Sequence, residues 1–294
     1  MTGAAMNAAA RTEKSRAGQT LRRFLKKKTA VFGMALFLLI VLTAIFAPLI
    51  ADYETQAVKR NMAERLMPPS AAHWFGTDDL GRDILARIAH GAGISLTIGL
   101  SAIGISLLAG GLLGAIAGFF GGVWDNLIMR FMDIFLCLPD VLLALAIAAR
   151  FGTNRFSLTL SIGLAFTPKM SRVVRAAVMG VRDNEYVEAA RSIGAGNWRI
   201  IFRHVLINCV GPIIVQVTLY VANAILTISA ISFIGRGIQA PTPEWGSMLA
   251  TGREFMRDSP YIVVAPGLAI FFTILSLNLL GDGLRDTLDP RLKT

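Results

Sequence analysis

Long apolar runs alternate with short charged breaks along this chain, and that alternation decides what it can fold into. Runs at 30–50, 93–120, 127–149, 156–179, 211–234 and 260–280 each approach or exceed the roughly 20 residues a helix needs to cross a hydrocarbon core. Backbone groups in lipid must find partners inside their own segment, which leaves helices as the solution for isolated runs of this kind. The expectation is an all-α membrane protein with about six transmembrane helices. Only 16% of residues are charged and 54% are hydrophobic, against about 25% charged in a soluble domain. The net charge of +10 does not point to nucleic acid, because the basic residues bracket apolar runs and form no single stripe. Cys137 and Cys209 make no disulfide framework, and His73, His90 and His204 are scattered, so no metal or cofactor site is expected in this chain.

The breaks divide the chain. A cytoplasmic tail is expected over 1–28, where Arg22, Arg23, Lys26, Lys27 and Lys28 cluster. The first span, 29–50, starts like a signal peptide, but its apolar stretch is too long, so it reads as retained. An extracytoplasmic segment follows over 51–92. In it Asp78 or Asp79 would cap a short elbow helix on the membrane surface, with Leu80, Ile84 and Leu85 inward and Arg82 and Arg87 snorkelling. The transmembrane core runs over 93–281 and contains a polar loop at 182–207, and a cytoplasmic tail closes the chain at 282–294. Gly110, Gly114 and Gly118 stand at the spacing that lets two helices cross closely. Arg130 and Asp133, one turn apart, can pair. Pro241 and Pro243 favour a turn, then a short outer helix after Glu244, with Trp245 in the interfacial belt. An even number of spans puts both termini on one side. The basic tail, with Arg182, Arg191, Arg199 and Arg203 in the loop, puts that side in the cytosol.

A polar island stands between spans at 184–199. Asn184 reads as an N-cap, with Glu185 in the first turn, where the helix dipole favours an anion. Tyr186, Ala190 and Ile193 share a face. Gly194 and Gly196 end the helix and allow a reversal. Asn197 caps a second helix with Trp198, Ile201, Phe202, Val205 and Leu206 as its apolar stripe and Arg199 and Arg203 opposite. On residue physics alone this is equally an amphipathic helix lying on headgroups. Two charges fall inside apolar runs, Asp140 and Lys169. At about 1.5 Å per residue they lie roughly 20 and 15 Å from the inner ends of neighbouring antiparallel spans. They are therefore expected to pair or to line a translocation path; the other reading is that Lys169 snorkels to the headgroups.

Glu188-Ala189-Ala190, then three residues, then Gly194, resembles the "EAA" loop of ABC importer permeases. The departure is Leu206-Ile207, where the family has Leu-Pro. The runs 73–87, 235–249 and 281–290 are similar to the second, C-type, permease subunit of the dipeptide/oligopeptide/nickel branch, with Arg236 at a usually apolar position. The resemblance implies a type I ABC importer permease fold whose cytoplasmic coupling helix carries Glu185, Glu188, Ala189, Ala190, Arg191 and Gly194. It implies a homologous second permease, two cytoplasmic ATPase subunits, an extracytoplasmic substrate-binding protein and a bacterial inner membrane. Dipeptides or short oligopeptides are the implied cargo, with nickel or a metal chelate, or glutathione, as alternatives. The chain has no G-x-x-x-x-G-K-[ST] phosphate loop, so ATP and Mg would be bound by the partner ATPases and this chain would be no enzyme. The readings from other classes are a stand-alone secondary transporter, with Pro139 and Pro168 as midplane breaks, and a non-transporting membrane scaffold. The absence of a second copy of either signature, and a cytosolic helix pair that would then serve nothing, stand against the first of these.

Overall fold

The computed structural model describes residues 22–152 and 154–288. Most of the expected N-terminal tail, 1–21, and the end of the C-terminal tail, 289–294, lie outside the described residues. The helices are α1 (Lys28–Ile45), α2 (Ile84–Phe120), α3 (Gly122–Leu136), α4 (Asp140–Phe151), α5 (Arg155–Met179), α6 (Glu185–Ser192), α7 (Asn197–Phe233), α8 (Trp245–Gly252) and α9 (Tyr261–Leu288). Among the described residues the one β-type pairing is an isolated bridge between Thr77 and Asp83. By length and composition α1, α2, α7 and α9 can each cross a membrane, and α3 with α4, bent by 91°, counts as a fifth crossing where the pair is one broken span. The 25 residues of α5 reach about 37 Å, but Lys169, Arg172 and Arg175 make it too polar to qualify by composition.

Several expected boundaries differ: α7 begins at Asn197, ahead of the span expected from 211, and α9 runs to Leu288, past the span expected to end at 280. The run 127–149 is not one helix: α3 stops at Leu136 and α4 starts after Pro139. Proline has no N–H to donate and pushes the residue before it out of the helical region, which breaks the run. The second span starts at Ile84, not at 93, and Asp83 caps it by accepting the Ala86 N–H at 2.8 Å. The elbow helix expected around residue 80 is instead a turn leading into α2.

The centre of the bundle is α2 against α5. A methyl on Gly110, Gly114 or Gly118 would come within 2.5, 2.3 or 2.8 Å of the carbonyl oxygens of Thr167, Ser171 and Arg175. These three positions thus hold the two backbones in contact along the inner half of the pair. Gly33 of α1 seats against α9 in the same way, with Leu279 Cβ 2.6 Å from the added methyl. The outer side of α1 exposes Phe32, Leu38, Leu39 and Leu42, as suits a helix against lipid.

The outer segment is tied down by buried polar groups. Asp78 Oδ1 accepts the Leu80 and Arg82 N–H groups, each at 2.9 Å, and Oδ2 accepts Arg82 Nε at 2.7 Å. Arg87 Nε lies 3.5 Å from the same Oδ2, and its Nη1 donates to Ala57 O at 2.8 Å. Arg82 and Arg87 are each 3% exposed, so neither snorkels; an aspartate between two guanidiniums removes the need to reach water. Trp245 is likewise buried, not interfacial: it is 1% exposed, and its Nε1 donates to Ile88 O at 3.1 Å. Glu244, fully buried, caps α8 by accepting the Gly246 and Ser247 N–H groups at 2.8 Å each. Burial pushes its carboxyl above the usual range, against the pull of those donors.

Candidate functional site

The polar island folds as a short helix, a left-handed turn and the start of α7. In α6, Glu185 and Glu188 stand in the first turn and Arg191 in the last, each on the side the helix dipole favours. Asn184 holds the N-cap position without a side-chain capping bond. The chain reverses at Gly194, whose φ of +80° is the left-handed region glycine enters without a Cβ penalty. An added Cβ there would meet nothing within 4 Å, so glycine is required by backbone and not by crowding. Gly196, rather than Asn197, caps the next helix, and its φ is ordinary.

One side of this unit packs and the other is bare. Val187 and Ala190 are buried, and Ile200, Ile201 and Val205 continue that buried side into α7. Two basic groups fasten it to the inner end of α2: Arg182 Nη1 donates to Gly118 O at 2.7 Å, and the Arg191 guanidinium sits 5.2 Å over the Phe119 ring. Arg191 is thus engaged within the chain. Glu185, Tyr186, Glu188, Ala189, Ile193 and Gly194 are exposed, with Ile193 at 85%. The face expected to hold Tyr186, Ala190 and Ile193 together therefore splits, with Ala190 inward and the other two outward. The α7 stripe splits in the same way: Trp198 and Phe202 stack at 6.1 Å on the exposed side. Ile193, Gly194, Ala195, Arg199, Arg203 and His204 line a groove of about 280 Å³. With no proline at Ile207, the entry into α7 is still irregular, through a π-helical turn at Ile201–Val205.

Deeper in, Lys169 Nζ lies 2.5 Å from Asp140 Oδ2, and the same ammonium sits 5.7 Å over the Phe166 ring. This rung does not stand alone. Arg172 pairs with Asp133, and Arg175 pairs through two bonds with Asp125. Asp133 thus goes to α5 and not to Arg130. Lys169, Arg172 and Arg175 occupy successive turns of one α5 face, and Asp125, Asp133 and Asp140 answer them from α3 and the start of α4. The i, i+3, i+6 spacing of the three cations was the signal in the sequence for the two rungs beyond Asp140 and Lys169. Among the described residues no group of His, Cys, Asp and Glu is placed to hold a metal ion.

Comparison with known proteins agrees with this architecture. Residues 110–294 match the family described as "Binding-protein-dependent transport system inner membrane component". Residues 15–69 match the "N-terminal TM domain of oligopeptide transport permease C". The di/tripeptide transport system permease protein DppC of Pseudomonas aeruginosa is 47% identical, covering 92% of this chain and 90% of that one. The dipeptide transport system permease protein DppC of Alkalihalophilus pseudofirmus is 44% identical, over 94% and 90%. The glutathione transport system permease protein GsiD of Pectobacterium atrosepticum is 39% identical, over 93% and 90%. A chain of the MetNI methionine ABC transporter, solved in inward-facing conformations, superposes with a TM-score of 0.57 at 12% identity, covering 69% of this chain and 96% of that one; it bears on the fold alone. With a family model spanning most of its length and relatives alike nearly end to end, this chain belongs to the inner-membrane components of binding-protein-dependent transport systems.

Proposed function

We propose that this chain is the C-type permease subunit of an ATP-driven importer for dipeptides or short oligopeptides. The similar DppC proteins are named for dipeptides and di/tripeptides, and the relative named for glutathione is less similar than these two. The partners in this reading are a homologous permease, two cytoplasmic ATPase subunits that bind ATP and Mg, and an extracytoplasmic binding protein. In this reading α5, held by its ion pairs, is the sixth crossing, and both termini lie in the cytosol on the side of α6.

The observation that carries the reading is the two-sided build of α6. Val187 and Ala190 fix it to the bundle, while Glu185, Glu188, Ala189 and the Gly194 turn stand free with Ile193 beside them. An exposed isoleucine, tyrosine and stacked Trp198–Phe202 pair are poor company for water and suit a protein groove. Closure of the ATPases would then pull on a short rigid helix, and Arg182 and Arg191 would pass the movement to α2. The test is co-purification of the tagged chain with its ATPases from the native membrane. Glu188→Arg and Gly194→Val are expected to leave the permease pair intact and to release the ATPases. Retention of both ATPases by both variants would refute docking at α6.

A further inference from the structure

The three ion pairs between α5 and α3–α4 do more than hold helices together. They climb from Arg175, whose carbonyl packs on Gly118 near the inner end of α2, to Lys169, about 9 Å further along α5. Charged residues within membrane-spanning segments face protein or a water-filled cavity, so a face carrying six is not a lipid face. Nor is it closed within this chain: Lys169 and Asp140 are 38% and 23% exposed, Arg172 and Asp133 54% and 45%. The inner two rungs border a cavity of about 410 Å³ that also takes in Arg130 and Asn126, and Arg130 has no carboxylate partner among the described residues. The opposite side of α5 is consumed by the glycine contacts with α2, and on the ladder side α3 and α4 leave the paired charges partly exposed.

We propose that this face is the wet wall of the inner half of the transport path, and that its deepest rung, Asp140–Lys169, opens to receive the two ends of a zwitterionic peptide. The ammonium of the cargo takes Asp140 and the carboxylate takes Lys169. Each terminus then replaces a partner that the rung already had, so the exchange is close to balanced. A path needs that balance: cargo must be held well enough to enter and weakly enough to leave. The Phe166 ring keeps Lys169 in place while the rung is open. The lower rungs offer the same pair of charges on the way to the cytosol. The proposal rests on the peptide-import reading for its ligand, and on the geometry alone for the wet wall.

The experiment uses the assembled transporter and has two arms. Cys137 is exposed, one turn beyond Asp133 at the end of α3 and three residues ahead of Asp140 across the break, while Cys209 is buried. In inside-out vesicles without nucleotide, a membrane-impermeant sulfonated maleimide should modify Cys137, with a Cys137→Ser chain as the blank. A thiol inert both without nucleotide and in the nucleotide-trapped state would make the face dry and overturn the wall. In the second arm, proteoliposomes take up a free dipeptide, its C-terminal amide and its N-acetyl form, each rate being compared with its own wild-type rate so that binding-protein preference cancels. Lys169→Met should slow the free and acetylated peptides about tenfold, the loss of one charge-assisted bond, and the amide at most about twofold. Asp140→Asn should slow the free peptide and the amide and spare the acetylated one. An equal fall for all three peptides would reduce the rung to a strut and sink the exchange. If wild type carries no dipeptide at all, the cargo reading fails instead, and the labelling arm still decides the wall.

Discussion

The outer cap and the inner coupling unit are built from the same kinds of residue and put them to opposite use. Around Asp78, two arginines, an aspartate and several backbone donors are folded inward until almost nothing polar meets solvent. Around α6, glutamates, an isoleucine and three aromatics are turned outward although inward positions exist, as Val187 and Ala190 demonstrate. A polar group that is buried and satisfied contributes to the fold and offers nothing to a partner. An apolar group left exposed contributes nothing to the fold and is available. The cap is therefore a closure of this chain on itself, and the coupling unit is half of an interface.

The hardest blow to that contrast is a change at Asp78. Asp78→Ala leaves Arg82 and Arg87 as buried cations without their carboxylate, and breaking a buried pair from one side costs about 3–5 kcal/mol. The expected result is a large fall in folded permease recovered from the membrane and in its melting temperature in detergent. Asp79→Ala should cost much less, because the nearest approach of Asp79 to Arg82 is 3.8 Å and its carboxylate caps no backbone donor among the hydrogen bonds of the cap. Equal losses for the two would show that the cap is held by net charge and not by the bonds of Asp78.

At the coupling unit the expected effect shifts from stability to association. Ile193 is 85% exposed, so Ile193→Asp should move the melting temperature of the permease pair very little, as surface changes stay within about 0.5 kcal/mol. Its affinity for the ATPases should drop about tenfold or more, as for an apolar anchor lost from an interface centre. Titration of the ATPases against permease in nanodiscs measures it. A variant that melts early while binding normally would place Ile193 in the fold and erase the comparison.

Sequence made the coupling unit legible and the cap illegible for one physical reason. Helical spacing, a glycine at a turn and an odd polar island are local patterns, so the extent of α6 and the Gly194 reversal could be read directly. Likewise the glycines at 110, 114 and 118 announce a close crossing without naming α5 as the neighbour. The partners of Arg87 and Trp245 come from tertiary folding, whereas Arg82 pairs locally with Asp78. Arg87 reaches Ala57, 30 residues away, and Trp245 reaches Ile88, 157 away. Without those partners an arginine near a span reads as snorkelling and a tryptophan as interfacial. Asp133 is the same error in miniature, since local spacing offered Arg130 and the fold supplied Arg172. Pro139 could have divided the third span, but a proline inside an apolar run of full crossing length is outvoted when length alone is counted.

The smallest effect expected is a slope with pH, and it belongs to the cap. Burial raises the carboxyl of Glu244 above its value in the unfolded chain, although Gly246 and Ser247 donate to it. A raised acid binds its proton more tightly when folded. Its contribution is therefore fully present below the unfolded pKa and is lost as pH rises through the folded one. Asp79 acts in the same direction, raised by burial and by the neighbouring Asp78 charge. Asp52, held low by Thr55, acts in the opposite direction from an exposed site. Melting of the permease pair should thus decline gently from about pH 5 to pH 8. Glu244→Gln keeps one acceptor for the α8 cap and removes the titration, so its curve should be flatter than wild type while α8 stays formed. A Glu244→Gln curve as steep as that of the wild type would mean that this buried acid does not carry the pH dependence.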